Sequence, residues 1–546
     1  MGIYLNPGYE NFRRTLSADI YVDKTMMIKE INRFIDTGNN YICISRPRRF
    51  GKTIAGEMLN AYYSKGCDAR ELFAPYKIAQ DPCFEEKLNK YNVIKIDMNS
   101  EYQNTTDKVH LISRLTREIK REMQEQFPEV SLEEDDSLAQ SILRVYEKTG
   151  ETFIILIDEY DVLVREQVPQ ELFDAFLSLL NGLFKSATLR AAISLAYLTG
   201  ILPVVRDKIQ SKLNNFMEYT ILNARELAEF VGFTTEDVKR LCEEYRMDFA
   251  ECRRWYDGYT LKRYRTEDRA SGGQFYEVYN PESVVRSMQD GEYGSYWGQT
   301  STYQVISDFI ERNFDGTKDD VIRMLAGENV DVNVTGYLNT MTSFVSKDDV
   351  FTYLIHVGYL AYNSVEKTCR IPNGEVRQEW FNAVTAMEDY RMTDQIIKAS
   401  KELLAETLAG NAEAVAKALD RSHIHVTSNR SYNNEDALQS AIYLAYIYAL
   451  NKYTVVKEMT AGKGFSDVTF IPFLPDIPAM IIELKKNDSA ESALDRIKEK
   501  QYYESLSHYQ GDLLFVGISY DEKEKTHTCR MERFEFDVIR DAIVLK

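Results

Sequence analysis

The stretch Ser45-Arg46-Pro47-Arg48-Arg49-Phe50-Gly51-Lys52-Thr53 constrains this chain more than any other. An apolar run, Tyr41-Ile42-Cys43-Ile44, precedes it, and a helix-like segment, Ile54 to Leu59, follows. Strand, tight loop, Gly-Lys-Thr and helix form the setting of a phosphate-binding loop. Such a loop offers backbone N–H groups and the positive end of a helix to phosphate oxygens. In that reading Lys52 reaches the β- and γ-phosphates and the Thr53 hydroxyl ligates Mg²⁺. The loop departs from GxxxxGK[ST] at its first glycine, where Arg46 stands. Taken alone, the string leaves a nucleotide site and an ordinary turn equally open.

A second string narrows the choice. Thr152-Phe153-Ile154-Ile155-Leu156-Ile157 runs into Asp158-Glu159-Tyr160-Asp161. A continuous apolar run suits a strand buried on both faces of a parallel sheet. Asp158 at its carboxyl end can hold Mg²⁺ through water, and Glu159 can polarise an attacking water. The bland alternative is a buried strand with an acidic turn, in which Asp161 caps a helix. Gly51-Lys52-Thr53 and Asp158-Glu159 in this order are far more specific than either alone. Further strands are expected at 92–98, 192–200 and 219–222, with helical patterns between them such as Leu172 to Phe184. That alternation reads as a doubly wound parallel sheet with its ligand at the carboxyl ends of the strands. Thr199 ends the 192–200 strand, where a polar residue can sense the γ-phosphate or simply close a Thr-Gly turn. An extra strand between loop and Asp158, with Glu beside Asp, points to the additional-strand catalytic-glutamate ATPases rather than kinases or GTPases.

At 546 residues the chain is too long for one core, and length alone suggests about three or four domains. With 66 basic against 85 acidic side chains the net charge is −19. This disfavours a general nucleic-acid coat but leaves room for a local basic groove. Seven scattered cysteines include no CxxC pair, so neither zinc-finger spacing nor a disulfide framework is expected. A reduced, cytoplasmic setting fits. The N-terminus lacks the layout of a signal peptide, and no apolar run approaches the ~18 residues of a membrane span.

Tyr21-Val22-Asp23-Lys24-Thr25 reads either as a short strand and turn, with Thr25 capping a helix, or as a nucleotide-side element. From 224 to 390 the chain reads as mainly helical with short strands, Val350 to Leu354 among them. Its aromatic clusters, Trp255 to Tyr259 and Tyr296-Trp297, read as core packing before base stacking. Residues 391–424 form a helical connector. The last segment, 425–546, holds a second constellation: Asp467, then Glu483-x-Lys485 sixteen positions on. Glu483 and Lys485 lie two apart on a strand and share a face, while Leu484 faces the core. Two carboxylates suit Mg²⁺, and a lysine can hold the attacking water or stabilise charge developing at phosphorus. Glu435 on the preceding helix is a candidate third carboxylate, and Gln501, placed on the following helix, a candidate for orienting water or phosphate. The bland alternative is an unrelated Asp and ExK in an acidic chain.

The N-terminal half resembles a bacterial family of AAA-ATPase-like proteins, through Tyr21 to Thr25, the Gly-poor loop Arg46 to Thr53 and Ile157 to Asp161. Tyr256 to Tyr259, Tyr279 to Pro281 and Ile371 to Asn373 are similar to its further motifs. The C-terminal segment resembles the PD-(D/E)XK nuclease-like domain that closes such chains. The resemblance implies a P-loop NTPase of α/β class (1–223), a mainly helical middle region (224–390), a helical connector (391–424) and a restriction-endonuclease-like α/β/α domain (425–546). It implies ATP at Arg46, Pro47, Arg48, Arg49, Phe50, Gly51, Lys52 and Thr53, with Asp158 and Thr199 alongside. It assigns Mg²⁺ to Thr53 and Asp158, and water activation to Glu159. At the nuclease-like site it assigns Mg²⁺, or Mn²⁺ in its place, to Asp467 and Glu483, with Lys485 catalytic. Such domains often read Gly-Arg-x-Asp; here Gly464-Phe465-Ser466-Asp467 lacks the arginine and with it a phosphate contact. Arg46, Arg48 and Arg49 read as side chains aiding the loop's phosphate contacts. Arg206, Arg225 and Arg253 are candidates for an arginine finger.

Two functions are therefore carried forward. One is an ATPase that gates or positions a metal-dependent nuclease acting on DNA or RNA. The other is an ATP-regulated module whose nuclease-like fold binds nucleic acid or protein without cutting. Self-association is compatible with either, and a weakly hydrolysing nucleotide sensor is a third reading.

Overall fold

The computed structural model describes residues 2–166, 168–203, 215–264, 273–297, 316–325, 327–335, 344–385, 391–426, 435–461, 464–472, 477–506, 509, 511–537 and 542–545. It divides into two compact units. The first takes most of the chain up to Glu375; the second runs from Val376 and includes Lys318–Glu328.

Five parallel strands form the centre of the first unit: β1 (Tyr41–Ser45), β2 (Asn92–Asp97), β3 (Phe153–Asp158), β4 (Ile193–Gly200) and β5 (Met217–Tyr219). Their order across the sheet is β2-β3-β4-β1-β5. The expected strands are present, with the last shorter than 219–222 and shifted towards its N-terminal side. β1, β3 and β4 are buried along their whole length, which is why they read as unbroken apolar runs. β4 lies between β1 and β3, so the strand inserted in space is not the one inserted in sequence. The sheet is that of an additional-strand P-loop NTPase, with the ends of β1, β3 and β4 side by side.

The middle region mixes helices with two small antiparallel sheets. One joins β6 (Phe233–Thr234), β7 (Tyr259–Arg263) and β8 (Gln274–Tyr279). The other joins β9 (Val330–Asp331), β10 (Ala361–Asn363) and β11 (Thr368–Arg370). The strand expected at Val350 to Leu354 is instead part of the helix Lys347–Val357. Ser346 and Asp349 form a capping box at its start, and burial from Asp349 to His356 on every face erases the period that separates helix from strand.

The second unit is built on a mixed six-stranded sheet in sequential order: β12 (Tyr453–Ala461), β13 (Gly464–Pro472), β14 (Ala479–Lys486), β15 (Asp512–Asp521), β16 (Thr526–Asp537) and β17 (Ala542–Leu545). Only β14 and β15 run parallel. The strand period of two sorts β14 cleanly. Met480, Ile482 and Leu484 join one apolar cluster with the helices Arg391–Leu408, Ala412–Val426 and Glu435–Ala445. Ala479 and Ile481 join another with the helix Ala490–Glu499. The result is an α/β/α sandwich, with Glu483 and Lys485 on the face of the second cluster.

Candidate active sites

In the first unit, residues 46–51 turn from β1 into the helix Lys52–Tyr63. Gly51 occupies the N-cap with φ 86°, a left-handed turn that glycine enters without a Cβ clash. Lys52 is only 5% exposed. Its Nζ donates to the Arg46 carbonyl at 3.1 Å and the Pro47 carbonyl at 2.8 Å. Burial pushes the Lys52 amine below its ordinary range, and Glu159, Asp158 and Asp161 offset this only in part. A phosphate group beside it is the counter-charge such a lysine suits. Thr53 is exposed on the first turn.

Asp158 ends β3 and is buried. The Thr199 hydroxyl, near the end of β4, donates to Asp158 Oδ1, as does the Glu159 amide at 3.0 Å. Glu159 sits at φ 51°, and its carboxylate is ion-paired with Arg165. Arg165 also reaches Asp161 at 3.2 Å. Asp161 stands at the N-cap of the short helix Val162–Arg165, as expected, but makes no side-chain cap bond. Its buried Oδ2 accepts the Ile201 and Leu202 amides at 3.0 and 2.9 Å, tying the Asp-Glu turn to the end of β4. The hard oxygens of Asp158 and Thr53 are a donor type that suits Mg²⁺.

The arginines of the loop divide differently from expectation. Arg46 is fully buried, and its Nη1 donates to the Ser45 and Tyr219 carbonyls, each at 2.9 Å. Its guanidinium staples the loop to the edge strand through Nη1, while Nε and Nη2 are buried without a hydrogen-bond partner. Burial lowers it to about 10, with only the Tyr197 phenol opposing. Arg49 donates to the Tyr296 carbonyl at 2.8 Å, and Arg48 is exposed.

What Arg49 reaches explains the downstream motifs. Asn280 caps the helix Pro281–Asp290, accepting the Glu282 amide at 2.9 Å. Within that helix the Ser283 hydroxyl donates to Glu375 Oε1 at 3.0 Å. The same oxygen accepts the Tyr296 and Trp297 amides at 2.7 and 2.8 Å. Asn373 donates to the Asp257 carbonyl at 2.8 Å. Tyr259 donates to the Gly358 carbonyl and packs edge-on against Phe50, ring centroids 5.5 Å apart. Three motifs distant in sequence thus meet in a brace over the loop. The Tyr21 to Thr25 element is not a strand. Asp23 accepts the Thr25 and Lys77 amides, each at 2.9 Å, and Lys24 is paired with Asp237. Of the finger candidates, Arg206 lies outside the described residues, Arg253 is paired with Asp257 at 3.2 Å, and Arg225 adopts φ 47°.

In the second unit β13 and β14 pair only from Val468 to Phe470. Beyond Val468↔Ile482 the register sets Asp467 opposite Glu483. There the ladder gives way, and Asp467 Oδ2 accepts the Leu484 amide at 2.7 Å. Glu483 is 1% exposed. Its Oε1 faces Arg496 Nε at 2.9 Å and Lys485 Nζ at 3.5 Å. Its Oε2 is buried without a hydrogen-bond partner. Burial, then the Asp467 charge, raises Glu483 to about 7 against the pull of Arg496 and Lys485. An orphaned carboxylate oxygen beside a second carboxylate is a place a divalent cation fits. Glu435 is the first residue of its helix, and its side chain lies outside the described residues, among which no cluster of three or more His, Cys, Asp or Glu is placed to hold a metal. Gln501 is not on the following helix, which ends at Glu499; it follows the cap residue Lys500 at φ 55°.

Two cations paired with candidate site carboxylates escaped sequence reasoning. Arg165 stands four residues after Asp161, a helical spacing that could have flagged the pair. Arg496 carried no local signal, because only the packing of its helix on β14 brings it to Glu483.

Residues 7–210 match a family of predicted AAA-ATPases, and residues 433–529 match the PD-(D/E)XK nuclease superfamily. An uncharacterized protein in the vnfD 5′ region of Azotobacter chroococcum mcd 1 is 21% identical over 560 residues, spanning 95% of this chain and 96% of its own. Among solved structures, the Aeropyrum pernix ORC2 protein (ADPNP-ADP complexes) is 11% identical at a TM-score of 0.29, over 70% of this chain and 99% of its own. C. elegans PCH-2 is 16% identical at a TM-score of 0.21, over 48% of this chain and 53% of its own. With Gly51-Lys52-Thr53 and Asp158-Glu159 beside one sheet and Asp467 facing Glu483 in another, the two matches give the chain a predicted AAA-ATPase domain followed by a PD-(D/E)XK nuclease superfamily domain.

Proposed function

We propose that the chain hydrolyses ATP at the first site, and that this gates or positions a divalent-metal-dependent nuclease at the second, which cuts phosphodiesters of DNA or RNA. The observation that carries the nuclease reading is the buried, partnerless Oε2 of Glu483 opposite Asp467, with Lys485 two residues on. Lys52 at the start of the helix that follows β1, with Asp158 and Thr199 at the adjoining ends of β3 and β4, supports the ATPase reading. Seven free thiols suit a reducing cytoplasm.

At the first site Thr53 and Asp158 would hold Mg²⁺, which would supply positive charge to the phosphates of ATP. Lys52 places a fixed cation on the same phosphates. Glu159 takes a hydrogen bond from the attacking water and receives its proton. Arg165 holds that carboxylate, and Thr199 holds Asp158. At the second site a Mg²⁺ or Mn²⁺ ion supplies Lewis acidity; Asp467 and Glu483 would hold it. Lys485 steadies the attacking water and the charge that grows on the phosphoryl oxygens. The water oxygen bonds to phosphorus, the ester P–O bond breaks, and the proton that the attacking water gives up is taken by the leaving oxygen.

The test is the purified full chain with single- and double-stranded DNA and RNA, with and without ATP, Mg²⁺ and Mn²⁺. Metal-dependent cleavage that vanishes in Asp467→Ala is expected. Undiminished cleavage by that variant rules the site out. Binding without cleavage in every metal would favour the second reading, a nucleotide-regulated binding module.

A further inference from the structure

We infer that Arg496 is the phosphate-contacting residue of the second site, in place of the arginine missing from Gly464-Phe465-Ser466-Asp467; this rests on the nuclease reading above. The position comes first. Glu483 pairs with Gly517 on β15, on the face covered by the helix Ala490–Glu499. A Cβ at Gly517 would lie 2.3 Å from the Ala490 carbonyl oxygen. The glycine therefore lets the helix settle close enough to deliver Arg496 to Glu483. Lys498, on the same helix, is spent on Glu532 at 2.7 Å and does not share the site.

The donor count comes next. A guanidinium has five N–H donors in a planar fork that suits two oxygens of one phosphate. Arg496 uses Nε on Glu483 and also bonds the Tyr502 side chain. N–H groups remain on a side chain that is 46% exposed. Lys485 already stands 3.5 Å from the same Glu483 oxygen, so a half-exposed fork is more than charge pairing of Glu483 requires. The charges agree. Asp467 and Glu483 balance Lys485 and Arg496, so a divalent cation would leave the site at about +2, attractive to a strand with one negative charge per phosphate.

The experiment uses the full chain and fluorescein-labelled DNA and RNA oligonucleotides in separate arms. Binding is measured in Ca²⁺ over a salt series, and cleavage in Mg²⁺. A phosphate contact contributes about 0.7 (single strand) to 0.9 (duplex) to the slope of log K against log salt. Arg496→Gln is expected to lower the slope by that amount in the arm that binds and to raise KM about tenfold, while Arg496→Lys restores the slope. A slope unchanged by Arg496→Gln, in a protein that cleaves, overturns the inference. So does Arg496→Lys sharing the reduced slope, which marks a structural role. Failure of the unaltered chain to bind or cleave either nucleic acid overturns the nuclease reading itself, and this inference falls with it.

Discussion

A buried lysine facing three carboxylates and two backbone carbonyls is Lys52's situation. Replacing it by alanine removes the buried cation at the start of the helix Lys52–Tyr63. Lys52→Ala is expected to cut ATP turnover by roughly a hundredfold or more while the fold survives, read by phosphate release beside circular dichroism. Glu159→Gln keeps the shape but cannot take a proton. It should lower kcat by about 10²–10⁴ with ATP affinity retained, separable by nucleotide binding. A second residue has consequences for pH. His356 is buried near Arg46, and burial, then that charge, lowers it to about 3. Below its unfolded value near 6.5, the unfolded chain takes up a proton that the folded chain refuses until about pH 3. Stability is therefore lost as pH falls through this window, by ~1.4 kcal/mol per unit from this group. Denaturation at several pH values should show a shallower acid slope in His356→Gln than in the unaltered chain.

At the scale of elements, two packings set the sites. The brace over the phosphate loop hangs on Glu375 Oε1, which satisfies Ser283, Tyr296 and Trp297 together. Glu375→Ala would leave buried donors unpaired, at about 1–3 kcal/mol each. It also frees the segment whose Tyr296 carbonyl holds Arg49. A large loss of stability together with a raised KM for ATP is expected; stability loss with KM unchanged would separate the brace from the loop. In the second unit, Gly517→Ala drives a methyl into the Ala490 carbonyl. The helix must lift, so nuclease activity should fall while ATP turnover is spared.

For the whole molecule, the expectation is separation of function: Lys52→Ala loses ATP turnover, and Asp467→Ala loses cleavage but keeps ATP turnover. If Lys52→Ala cleaves as fast as the unaltered chain with ATP present, gating by ATP is wrong even though both sites stand. Among the described residues no helix is long and apolar enough to cross a membrane.

The strands that carry both sites were legible because residues close in sequence define them. β1 and β3 announced themselves as apolar runs ending in Gly51-Lys52-Thr53 and Asp158-Glu159, and Glu483-x-Lys485 declared a shared face through the period of two. Val350 to Leu354 was misread because burial on all sides removes periodicity. Gln501 was misplaced because a helix end depends on the cap after Glu499. Arg46 and Arg496 were beyond reach for a common reason. An arginine's long side chain finds its partner through space, and sequence does not say whether that partner is a phosphate, a carbonyl of β5 or a carboxylate on another strand. The phosphate loop and the strands that carry the paired carboxylates are thus local properties of the chain. The strand that comes to lie between β1 and β3, the three motifs gathered on Glu375, and the guanidinium beside Glu483 were decided only by tertiary packing, because each depends on surfaces that meet after the chain has folded.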